Sequence, residues 1–94
     1  MYTRVVRFTD VSSERMDGLI ARVKEAGGPP PGVKSQGIGV LFDQAQGTAV
    51  VLQHFATAAD MEEAAKVFAA MDPSDTPGAR VSVDACEVKL ELEA

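Results

Sequence analysis

The stretch that most constrains this chain is GTAVVLQHFATAADMEEAAKVF, residues 47–68, in which Ala49, Val50, Val51 and Leu52 are consecutive and apolar. A strand points successive side chains to opposite faces, so such a run leaves neither face for water. The segment is therefore expected to be a central strand covered on both sides. Thr57 with Asp60 three residues later has the form of a capping box, with Asp where Glu or Gln is usual. A helix should start there, burying Met61, Ala64, Ala65, Phe68 and Met71 and turning Glu62, Glu63 and Lys66 outward. A covered strand thus runs straight into an amphipathic helix.

The flanking segments supply what such a strand needs. Residues 2–9 are rich in β-branched and aromatic side chains and read as a first strand. Ser12-Ser13-Glu14 can cap a helix, on which Met16, Leu19, Ile20 and Val23 form one buried stripe. Gly18 within it suggests close packing on the sheet. The helix should end at Ala26, because Gly27-Gly28 tolerates positive φ and Pro29-Pro30-Pro31 cannot continue it. Residues 33–42 read as a second strand, with Gly37 and Gly39 suggesting a bulge or a close approach. The turn at residues 43–47 makes a hairpin with the third strand. Residues 72–78 should stop the second helix, and residues 79–92 read as a last strand whose apolar alternation changes phase at Ala85-Cys86.

The order strand, helix, strand, strand, helix, strand is α+β. It corresponds to the ferredoxin-like split βαβ (βαββαβ), a four-stranded antiparallel sheet with both helices on one face. At 94 residues, a single domain spanning 1–94 is expected. Because the third strand is apolar on both faces, the sheet's open face should carry an apolar patch, and a second copy is its simplest cover. A homodimer is expected.

Composition narrows the partners. Nine basic against fourteen acidic side chains give a net charge of −5 with no basic cluster, which argues against nucleic acid. No apolar run reaches signal-peptide or bilayer length, so the expectation is a cytoplasmic protein with no membrane partner. One histidine, one cysteine and no carboxylates at ligand spacing give no metal site, and Cys86 reads as a small buried hydrophobe. Gly37-Ile38-Gly39 lies within a strand and is not a phosphate loop.

The opening VVRFTD before a capped helix, the PGV entering the second strand, the FDQAQGTAVVL hairpin and the HFATAADMEEAAKVF passage resemble the dimeric α/β-barrel superfamily. Within it, the chain is similar to the antibiotic-biosynthesis-monooxygenase (ABM) domain. The resemblance covers essentially the whole chain. It implies two sheets paired into a dimeric α/β barrel, a small aromatic or polyketide-like ligand in a cleft between sheet and helices, and monooxygenase chemistry without a cofactor. Haem-degrading relatives carry an asparagine, a tryptophan and a histidine where this chain has Val6, Phe55 and about Ala65. The tryptophan and asparagine used by quinone-forming relatives are absent altogether. The resemblance is therefore equally compatible with a non-catalytic ligand-binding or stress-related barrel.

The candidate site follows from strand alternation and this cleft. Gln53 shares a face with Val51 and Phe55 and would be the polar group in the cleft. Arg4, on a face with Tyr2, Val6 and Phe8, either holds an anionic or enolate-like oxygen, or snorkels to solvent, or pairs with a carboxylate such as Glu87 or Asp84. Phe55, Val6 and Phe68 complete the ligand-binding set. His54 is the only side chain with an unperturbed pKa near neutrality and so the catalytic candidate for proton transfer, in a monooxygenase or in an isomerase or lyase. The alternative is a hydrogen-bonded histidine on the opposite face, within the dimer barrel.

Overall fold

The computed structural model describes residues 1–70 and 76–93. Its elements are β1 (Tyr2–Thr9), α1 (Ser13–Ala26), β2 (Gly37–Asp43), β3 (Thr48–Phe55), α2 (Ala58–Ala69) and β4 (Ala79–Glu87). They form one antiparallel sheet in the order β2-β3-β1-β4, the ferredoxin-like βαββαβ arrangement. Local chemistry sets the boundaries. The Ser12 hydroxyl accepts from the Arg15 N–H at 3.1 Å to start α1, and Gly27, at φ 68°, ends it in the left-handed conformation that glycine adopts without steric cost. Thr57 Oγ1 likewise accepts from the Asp60 N–H at 3.1 Å. In the β2–β3 turn, Asp43 accepts from the Gln46 backbone and side chain, which holds its carboxyl below its ordinary pKa. Gly47 closes the turn at φ 66°.

Both helices cover the face that carries Tyr2, Val6 and Phe8 of β1. Met16, Leu19 and Ile20 of α1 pack with Val6, Phe8, Val11 and Ala49. Met61, Ala64, Val67 and Phe68 of α2 pack with Phe55, Tyr2 and Val33. The core is thus two apolar clusters, one under each helix. The opposite face carries Val5 of β1, Val50 and Leu52 of β3 and Leu41 of β2. The first three are half-buried, and Leu41 is 57% exposed. The doubly apolar run of β3 is therefore split between a covered face and an open one.

Several expectations are corrected. Residues 33–36 are not strand: the Val33 N–H bonds the Pro30 carbonyl, and its side chain fills the cluster under α2, so this segment anchors a loop. Gly37 and Gly39 mark no bulge, since β2 stays in register with β3 throughout, opposite His54 and Leu52. A Cβ at Gly18 would meet the Arg22 guanidinium at 3.6 Å and nothing of the sheet, so the glycine does not serve close packing there. On α2, Ala65 is exposed and Val67 takes its place in the stripe, because the face toward the sheet is centred on Met61 and Ala64. Met71 and residues 72–75 of the expected stop lie outside the described residues.

The irregularity in β4 falls between Arg7 and Phe8, whose partners are Ser82 and Arg80, so Val81 is the extra residue. Pairing runs unbroken through Ala85 and Cys86, the strand ends at Glu87, and Leu90 and Leu92 are exposed beyond it. Cys86 is exposed on the open face and not buried, because it lies in an edge strand opposite Thr3. Among the described residues, no helix is long and apolar enough to cross a membrane.

Gly78 is held by contact. A Cβ there would collide with the Thr9 carbonyl oxygen and sit 2.8 Å from Val11 Cγ2. Since the nearest obstacle is backbone, Gly78→Ala is expected to lower stability by roughly 1–3 kcal/mol through overpacking, read as an earlier urea midpoint.

Candidate functional site

Adjacent residues of a strand face opposite ways, so Gln53 and His54 belong to different environments. Gln53 points under the helices and pairs in register with Arg4. Arg4 Nη1 donates to Gln53 Oε1 at 3.1 Å, and both residues are only 8% exposed. The Arg4 guanidinium carbon stands 4.7 Å from the centroid of the Phe68 ring on α2, a cation–π contact. Its Nε is buried without a hydrogen-bond partner. Burial first, and then the like charge of Arg80, hold the Arg4 pKa below the usual arginine value. The group remains a cation and a donor only.

Register places this pair between the two halves of the core. Tyr2 and Phe55 are the next same-face pair on one side, in the cluster under α2. Val6 and Val51 follow on the other side, in the cluster under α1. Arg4 and Gln53 therefore form a polar layer between two apolar ones. On the outer side of the layer lies β4, where Ala85 and Val83 pair with Arg4 and Val6 and share their face. Ala85 is exposed and Val83 is 42% exposed, so the helices leave this strip of the sheet bare beside the guanidinium. The arrangement can orient a planar acceptor or anion next to an apolar surface.

His54 stands on the open face. Its Nδ1 and Thr3 Oγ1 share a hydrogen bond at 3.1 Å, and its carbonyl accepts from the Gln36 N–H at 2.7 Å. The thickness of the sheet separates its ring from the Arg4–Gln53 layer, so it cannot exchange a proton with a molecule held there. Among the described residues no three His, Cys, Asp or Glu side chains converge as a metal site would require.

The residues singled out from sequence divide accordingly. Arg4, Gln53 and Phe68 come together. Phe55 and Val6 share their face but lie fully within the flanking clusters. The acidic partners suggested for Arg4 are not used: Asp84 pairs with Val5 and so faces the open side, and Glu87 bridges to Lys89 at 3.2 Å. Arg80 escaped sequence reasoning because the bulge at Val81 turns it to the face of Val83 and Ala85, where plain alternation would set it opposite them, and which strand Val83 and Ala85 pair with is visible only in the sheet. Two shallow concavities lie elsewhere, one beside Glu14, Arg15 and Arg22 on α1 and one along Leu41–Asp43 and Thr48–Val50, and neither adjoins Arg4. A comparison with models of known protein families finds no match, and a comparison with curated proteins finds none either.

Proposed function

We propose that the chain is an ABM-like protein that works as a homodimer and binds a small apolar or aromatic molecule against the Arg4–Gln53 layer. The single observation behind this reading is the buried polar pair set between two apolar clusters and flanked by the bare strip of Val83 and Ala85. Ligand sites are commonly apolar surfaces with a few fixed polar groups. Dimerisation is supported by Val5, Val50, Leu52 and Leu41 on the open face, a patch that pairing with a second copy would cover. In that assembly His54 and Cys86 would line the interface.

The placement of His54 across the sheet favours binding without catalysis over a cofactor-independent monooxygenase. Calorimetric titration with 2-naphthol tests the reading. Saturable binding is expected, and Ala85→Trp, which plants a large ring on the exposed strip, should abolish it without changing the melting temperature. Absence of binding would remove the proposal, and oxygen consumption above the protein-free rate with an anthrone-type substrate would restore the monooxygenase reading.

A further inference from the structure

Buried arginines are ordinarily matched to a carboxylate, since a guanidinium withdrawn from water needs charge as well as hydrogen bonds to compensate. Arg4 is 8% exposed, and its hydrogen-bond partner is the neutral Gln53. The chain has fourteen acidic residues against nine basic, yet none is paired with Arg4 among the described residues. Instead a second cation, Arg80, stands on the same face of the sheet, opposite Phe8. Two positive groups are thus gathered in an acidic protein, one of them with its Nε unused.

We propose that the molecule bound at the Arg4–Gln53 layer is a small carboxylic acid with a flat apolar body, whose carboxylate supplies the charge that Arg4 lacks. This rests on the reading of the layer as a ligand site and specifies its substrate class. Gln53 already occupies Nη1 and Nε is closed to solvent, which leaves Nη2 as the guanidinium N–H group for the acid. A carboxylate oxygen there accepts a charge-assisted hydrogen bond, stronger than the amide contact Arg4 already makes. Phe68 holds one face of the guanidinium, and Val83 and Ala85 offer the apolar strip beside it. Arg80 adds long-range attraction at the exposed end, where salt would screen it.

The test compares 2-naphthoate with 2-naphthamide, which has the same shape and no charge. Titrated calorimetrically into the full chain at low salt, naphthoate should bind about tenfold or more tighter, as a charge-assisted contact implies. Arg80→Gln, at an exposed position, should weaken naphthoate severalfold and leave naphthamide unchanged. Arg4→Met should bring the two probes to equal affinity. Equal affinity in the wild type would overturn the carboxylate assignment while leaving the ligand site standing. Binding of neither probe would overturn both. A naphthoate preference untouched by both Arg80→Gln and Arg4→Met would place the anion elsewhere and also overturn the assignment.

Discussion

Gln53→Leu is expected to destabilise the fold by about 2–3 kcal/mol, because it strips a buried cation of its hydrogen-bond acceptor without removing the cation. Leucine fills a similar volume, so the loss does not come from a cavity. The companion prediction is that Arg4→Met combined with Gln53→Leu recovers most of that stability, since an apolar pair fits between the apolar layers on either side. Urea unfolding of the wild type, both single variants and the double variant gives the coupling directly. If Gln53→Leu alone cost less than ~0.5 kcal/mol, Arg4 would have to reach water in the variant, and the layer would not be the fixed feature described above.

Leu52→Glu should act on assembly. Leu52 lies in the middle of the open face, between Val5 of β1 and Gly39 of β2 in register. In a single chain its side chain is half-buried, so glutamate there can reach solvent, and the helical signal should persist. In a dimer that pairs open faces it would be an unmatched buried charge, costing several kcal/mol per interface. Light scattering at micromolar concentration should give twice the chain mass for the wild type and the chain mass for Leu52→Glu. A wild-type protein that scatters as one chain would remove the homodimer from the proposal.

Most of the architecture was readable because it is written in local chemistry. Ser12, Gly27, Gly47 and Thr57 act within a few residues of themselves, and the strand-then-helix passage at residues 47–68 needs no distant partner to be recognised. Alternation alone separated Gln53 from His54. What failed depends on pairing across the sheet. Val33 reads as strand in sequence because its apolar side chain fits either a strand or a loop anchored in the core. The phase of β4 is not legible in sequence because a bulge is visible only against the partner strand, here Arg7 and Phe8. The same bulge turns Arg80 to the face of Arg4, and the regular register beyond it sets Ala85, not Asp84 or Glu87, opposite Arg4. The burial of Arg4 itself could not be seen, since an arginine on the inner face of a strand reads as snorkelling until a ring such as Phe68 closes over it.

The bulge at Val81 also bears on solubility. β4 is an outer strand, with one row of backbone groups facing away from the sheet and able to template another chain. An extra residue there bends and twists that row, Asp84 adds a charge partway along it, and pairing stops at Glu87 before the apolar Leu90 and Leu92 are reached. The same irregularity that re-aims Arg80 thus makes this edge of the sheet a poor template for an added strand and for open-ended growth along it.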